Sequence, residues 1–326
     1  MMPHGLRALR NARFAAGVFV LSAWLGGCAL VVPQTDALHA EWPARLPDSV
    51  ELKDVPFFPQ SEYQCGPAAL ATVLVHDGVA TTPEKLAKEV YLPAREGSLQ
   101  VEMLAAPRRH GLVSYQLAPK YEDLLREVAA GNPVIVLQDY GMWPLSVWHY
   151  AVVVGYEHHK GEAILRSGDK QRLTLPFPVL EFTWRSGDYW AMVALPPDRI
   201  PATATEKDYV QSVVALARTG NTQAAKVAYE TFLKRWPDDL VAEIGLADTY
   251  YSLHDLAGAE AVLRRAAAHH PDSVAVLNNL AQVLSDQRKN DEALKLAQRA
   301  VSLGGPYAAE AGKTRDLILQ RMKATN

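Results

Sequence analysis

Residues 65–77 read CGPAALATVLVHD, and this stretch decides the first half of the fold. Gly66 and Pro67 stand at the head of an apolar run, and proline is favoured in a helix's first turn. The run therefore reads as a buried helix with Cys65 at its N-terminus. There the unpaired N–H groups and the positive end of the helix dipole favour thiolate over thiol. A cysteine can also serve as a small buried hydrophobe. The polar approach Gln60-Ser61-Glu62-Tyr63-Gln64 argues against that use and for a nucleophile.

A thiolate needs a base. Of ten histidines, His76, His158, His159, His254, His269 and His270 lie in polar or helix-end settings and read as solvated. His149 opens the run WHYAVVVGY at 148–156, the strongest strand signal in the chain. A histidine at the start of a buried strand can face a cleft while the strand holds its ring. Around these two residues, helices are expected at 83–90, at 98–110 with Pro107 ending or kinking the last turn, and at 121–130 closed by Gly131. Strands are expected at 113–117, 133–138, 162–166, 171–175 and 188–194. A helical first half followed by a run of strands points to an α+β domain with an antiparallel sheet.

The motif Q-x-x-x-x-C-G-P-A-A-L, followed 84 residues after the cysteine by H-Y-A-V-V-V-G-Y, resembles the bacteriocin-processing (double-glycine) cysteine peptidases. The resemblance covers about 51–195. It implies a papain-like fold, a Cys65–His149 pair, and an upstream glutamine that donates to the oxyanion hole. That glutamine usually lies six residues before the cysteine; here Gln60 lies five before it and Gln64 one before, and Gln60 is the assigned donor. The family orients its histidine with an Asp-Pro on the next strand, where this chain reads Ile164-Leu165-Arg166-Ser167-Gly168-Asp169. Ser167 stands in the aspartate's place. Either Asp169 reaches His149 through a shifted loop, or the orienting carboxylate is lost.

At the other end of the argument is Cys28. Residues 1–27 carry Arg7, Arg10 and Arg13, no acidic residue, and an apolar run at 14–25. That run is too short to cross a hydrocarbon core of ~30 Å as a helix, and the layout is that of a secretory signal. Leu25-Gly26-Gly27-Cys28 resembles the bacterial lipobox, which implies cleavage before Cys28 and acylation of that residue. Several acyl chains, at ~0.8 kcal/mol per buried CH₂, would hold the chain on a membrane. Ala29 is not the aspartate of inner-membrane retention, so the periplasmic side of the outer membrane is expected. Residues 28–50, with Pro33, Pro43 and Pro47, read as a tether.

A proline-rich linker at 196–206 separates the sheet domain from 207–326, which is rich in alanine and leucine and carries no strand signal. Ala225, Ala259 and Ala293 recur every 34 residues, as do Ala247 and Ala281, Leu246 and Leu280, and Pro237 and Pro271. This period, with small residues where helices cross, resembles the tetratricopeptide repeat over about 207–306, with a last helix near 307–323. Such arrays form an all-α solenoid whose concave face suits a protein partner.

The chain's 326 residues suffice for two domains. A formal charge of −3, or −6 without residues 1–27, argues against nucleic-acid binding. Two cysteines exclude a disulfide scaffold or a four-cysteine zinc site, and no histidine spacing indicates a metal; no cofactor is expected. The expected activity is hydrolysis of a peptide or protein substrate through a Cys–His pair. A non-catalytic peptide-binding adaptor and a thiol amidase or acyltransferase of the cell envelope are the alternatives.

Overall fold

The computed structural model describes residues 31–59, 64–141 and 145–325. Along the first part run α1 (Pro33–Ala40), β1 (Ser49–Glu51), α2 (Cys65–His76), α3 (Pro83–Val90), α4 (Gln100–Arg109), β2 (Val113–Gln116) and α5 (Tyr121–Ala129). They are followed by β3 (Val134–Asp139), β4 (Trp148–Glu157), β5 (Glu162–Ser167), β6 (Lys170–Pro176), α6 (Phe177–Arg185) and β7 (Ala191–Leu195). The strands form one antiparallel sheet in the order β2-β7-β3-β4-β5-β6, with β1 added to β4. β4 can take both β1 and β3 because it is ten residues long: β3 pairs with its first half and β1 with its last three residues.

Alternation within β3 shows why the sheet needs cover on both sides. Ile135 and Leu137 pack with Leu70, Leu74, Leu86 and Met103 of α2, α3 and α4. Val134 and Val136 join Tyr121, Leu125, Phe177 and Trp184 of α5 and α6 in the opposite layer. A strand buried on both faces reads as a continuous apolar run, as PVIVL does. The papain-like α+β reading thus agrees with the architecture, a sheet domain followed by helices.

Two segments differ from expectation. Part of the stretch read as a tether is folded onto the domain. The Glu181 carboxylate accepts from the Gln34 and Thr35 N–H groups at 3.0 and 2.6 Å, serving the orphan amides at the start of α1, and Leu38 enters the core. Helix α6 was not foreseen, and β7 begins later than 188 because Asp188 and Tyr189 turn the chain at φ 54° each.

Beyond the sheet lie α7 (Glu206–Ala217), α8 (Thr222–Arg235), α9 (Leu240–Ser252), α10 (Leu256–His269), α11 (Val274–Asp286), α12 (Asn290–Leu303) and α13 (Ala308–Thr325). The first helices of successive pairs begin at Glu206, Leu240, Val274 and Ala308, one every 34 residues. Ala225, Ala259 and Ala293 are fully buried at the crossings. Gly245 lies under the Tyr229 ring, where a Cβ would come within 2.3 Å of it. Side chains of Thr205, Asn221, Asp239, Asp255 and Ser273 cap five of the helices.

The segment at 196–206 is held at several points. Arg199 pairs with Asp77, the residue that ends α2, at 3.1 Å and also bonds Asn132. Glu127, fully buried on α5, accepts from Asn132 Nδ2 at 2.6 Å and from the Thr203 N–H and hydroxyl at 2.7 and 2.6 Å. Tyr209 of α7 packs edge-on to Tyr115 of β2, so one core runs from the sheet into the first helix pair. Removing the Glu127 carboxylate strands three donors in a buried setting. Glu127→Ala is expected to cost about 2–4 kcal/mol in denaturant unfolding, read on the full chain. A loss below about 0.5 kcal/mol would show that the joint contributes little.

Candidate active site

Cys65 is the first residue of α2, and no acidic side chain occupies that helix's first turn. Its neighbour must be glycine: a Cβ on Gly66 would lie 2.5 Å from Ser98 Oγ and 2.8 Å from Ser98 Cβ. The Cys-Gly pair therefore lets the head of the helix close against the Ser98 loop. Backbone hydrogen bonds from Tyr150, Gly66 and Cys65 itself favour the thiolate, as the helix-end argument expects. Burial is the larger effect, however, and it pushes the Cys65 thiol up from its ordinary value.

His149 is the second residue of β4, paired across the sheet with Gln138 of β3. Tyr140 stacks on its ring, with centroids 5.1 Å apart and planes at 27°. Burial pushes the imidazole down to about 4, so at neutral pH it is an uncharged base. Its Nε2 lies 2.8 Å from Ser167 Oγ at the end of β5. Beside it, the Tyr140 phenol donates to Gln138 Oε1 at 3.0 Å. Gln138, with its side chain buried, donates from Nε2 to Thr183 Oγ1 of α6 at 2.7 Å.

Asp169 is not brought to this site. Strand β5 ends at Ser167, Gly168 turns the chain at φ 59°, and Asp169 pairs with Lys170 at 3.0 Å with its side chain 78% exposed. Where the sequence left Asp169 and Ser167 open, geometry puts Ser167 against the histidine and Asp169 in solvent. Cys28 and Gln60 lie outside the described residues. Tyr140, Gln138 and Thr183 were not foreseen as site residues. The one available signal was a polar Gln138-Asp139 ending an otherwise apolar strand.

Cys65 and His149 open into one cavity of about 1020 Å³, a volume that suits several residues of an extended peptide. Its walls come from the loop Arg95–Ser98, from Ser146–Tyr150 on the approach to β4, and from Ser186–Asp188 after α6. Leu137 and Trp148 supply apolar surface, and Arg95, Glu96 and Asp188 supply charge of both signs. Among the described residues no cluster of histidine, cysteine or carboxylate side chains has the arrangement of a metal site.

Residues 52–169 match the model of the Peptidase_C39 like family, and residues 216–272 and 274–304 match tetratricopeptide repeat models. No curated protein matches the chain. Among solved structures, a C39-like peptidase from Bacillus anthracis is 21% identical, with a TM-score of 0.39 over 46% of this chain and 98% of that one. The peptidase domain of Streptococcus ComA, a bifunctional ABC transporter of a quorum-sensing pathway, is 18% identical, with a TM-score of 0.36 over 44% and 98%. The first tetratricopeptide domain of Spaghetti (RPAP3), bound to an HSP90 peptide, is 20% identical, with a TM-score of 0.34 over 36% and 93%. The chain thus carries a Peptidase C39-like domain followed by tetratricopeptide repeats.

Proposed function

We propose that the chain is a cysteine peptidase that works through Cys65 and His149, held on a membrane by acyl chains on Cys28. The observation that carries the reading is the shared cleft, where a thiol at a helix head and an uncharged imidazole meet one substrate-sized cavity. Both shifts oppose a standing ion pair, so the proton moves during attack. As Sγ bonds to the carbonyl carbon, His149 takes the thiol proton, and the carbonyl π electrons pass to oxygen. The oxyanion is met by the Cys65 N–H and by Gln60, the second donor carried over from the family motif. One such donor contributes ~3 kcal/mol. The imidazolium then protonates the departing amine, leaving a thioester, and water activated by His149 hydrolyses it to acid and free thiol.

The repeats then hold the substrate protein or a partner on their concave face. Lipid attachment at Cys28 and an outer-membrane position facing the periplasm follow the lipobox resemblance. The docked α1 sharpens this: its first residue, Pro33, is five residues beyond Cys28, a reach of at most about 18 Å in any conformation. The domain would sit close to the lipid surface. A second reading, peptide binding without turnover, is favoured by the hydroxyl that meets His149 where the family has a carboxylate. Amidase or acyltransferase chemistry would use the same thioester and differs in the products it releases from peptidoglycan or an acyl acceptor.

A peptide library incubated with the full chain is expected to yield cleaved products that Cys65→Ser abolishes. Retained binding with no product under any condition would favour the second reading. The shifts also set a pH profile. kcat/KM is expected to fall only as pH drops through about 4, where His149 gains its proton. Alkylation of Cys65 by iodoacetamide should climb with pH and stay no faster than a free thiol near pH 6; a flat plateau between about pH 5 and 8 would reveal an ion pair instead. Asp169→Asn, on an exposed side chain paired to Lys170, should leave both profiles within about twofold of the parent, since surface pairs contribute little. Fatty-acid labelling that persists in Cys28→Ser would remove the anchor from the reading.

A further inference from the structure

We propose that the mouth of the cleft holding Cys65 and His149 is a membrane-contact surface, which seats the β3–β4 turn and the outer face of α6 in the lipid headgroup layer. The proposal rests on the reading of Cys28 as the acylated residue. It names the face that the anchored domain turns to the bilayer, and the class of substrate met there: polypeptide lying at the membrane surface.

Two neighbouring elements build the surface. On the β3–β4 turn, Tyr140, Leu145, Val147 and Trp148 are 44, 76, 57 and 50% exposed. The base of this turn is braced, because Asp139 Oδ1 accepts from the Gly141 and Val147 N–H groups at 2.9 and 2.7 Å. The Tyr140 N–H donates to the Val147 carbonyl at 2.9 Å. Beside the turn lies α6, tied to β3 by the Gln138–Thr183 bond, with Val179 and Phe182 exposed one helical turn apart. Val147, Trp148 and the residues that follow α6, Ser186–Asp188, wall the same cavity. Patch and cleft mouth are therefore continuous.

This patch carries almost no charge. Residues 145–148 and 177–184 hold one ionisable side chain, Glu181, which is buried and bonded to the Gln34 and Thr35 N–H groups. Exposed rings on the repeats are set differently: Tyr251 donates to Asp286 at 2.8 Å, and Arg321 pairs with the same carboxylate. An uncharged apolar patch that includes tryptophan and tyrosine suits the headgroup layer, where each ring buries an apolar body and keeps a polar tip wet.

The path of the chain says what covers the patch. The Val31 carbonyl accepts from Arg185 Nη1 at 2.6 Å, and Arg185 directly precedes the Ser186–Asp188 wall. Cys28 is three residues before Val31, a reach of at most about 11 Å in any conformation. Acyl chains on Cys28 thus enter the bilayer beside the cleft mouth. The bonds from Arg185 and Glu181 fix the start of α1, so this short span also limits how the domain can turn. A net charge of −6 without residues 1–27 gives no attraction to acidic lipid, and the contact is apolar.

The test supplies the tether, so it does not depend on acylation in the cell. Residues 28–326 with an N-terminal polyhistidine tag are bound to dioleoyl phosphatidylcholine vesicles that carry a nickel-chelating lipid. Tryptophan fluorescence is then quenched by phosphatidylcholine brominated near the headgroup or near the chain ends. The Trp148 signal is the difference between the parent and Trp148→Phe. It is expected to fall about twofold with the shallow bromines and less with the deep ones. Phe182→Asp, on α6 outside the cleft lining, should remove about half of that quenching. Tyr307→Asp, at a 57% exposed site on the repeats, should leave it unchanged. A Trp148 signal indifferent to both bromolipids, or an equal loss in Phe182→Asp and Tyr307→Asp, would overturn the proposal. Indifference to lipid with peptide cleavage slowed by Phe182→Asp would overturn it too, and give the patch to the substrate. Seating and turnover are read separately: quenching without cleavage leaves the surface standing and fails the peptidase reading, and the reverse outcome does the opposite.

Discussion

The hydrogen bond between His149 and Ser167 is the constraint on which the site turns, because it puts a neutral oxygen beside a buried imidazole. Burial disfavours the charged form of any group, and a carboxylate at this position would oppose it by pulling the imidazole's pKa back up. A hydroxyl cannot. With the value pushed down to about 4, the imidazole is the uncharged form at neutral pH. The thiol meets the same low-dielectric surroundings, and the three backbone N–H groups around it do not offset the cost. Burial thus pushes both the thiol and the imidazole toward their uncharged forms in one cleft.

The joint between sheet and repeats bears on what such a cleft can be used for. A flexible linker would give a captured substrate an effective concentration set by chain length. Here the linker residues Arg199 and Thr203 are fastened to Asp77, Asn132 and Glu127, and α7 shares its core with β2. The array is therefore presented to the domain in a set orientation. Asp77 connects this joint to the reactive end of the molecule along a single element, since it ends the helix that begins with Cys65. Burial raises the Asp77 carboxyl to about 6, so its burial penalty grows as pH rises through that value, and the Arg199 pair offsets part of it.

Much of this was legible in the sequence where one short-range pattern decided the outcome. The CGPAAL run announced a helix head because glycine and proline have few other uses there, and the 34-residue recurrence of alanine gave the repeats their phase. Features that depend on two distant elements were not legible. Pro33 looked like part of a tether, yet it is an acceptable first-turn residue of α1, and Glu181, the partner that makes α1 worthwhile, lies far along the chain. Helix α6 carries the aromatic and β-branched residues of a strand, and only packing against β3 resolves the ambiguity. Asp169 was two residues from the expected place, which in a continuing strand would keep it on the same face. The turn at Gly168 ends the strand first.

Orienting a histidine and stabilising its charged form are separable tasks, although a carboxylate performs both at once. Papain-like peptidases with an asparagine as third member show that a neutral acceptor is enough for the first. An amide oxygen accepts by nature, whereas a hydroxyl becomes a dependable acceptor only when its own proton is committed elsewhere. A hydroxyl beside the histidine gives up the electrostatic contribution that a carboxylate there would make, since it carries no charge to set against an imidazolium.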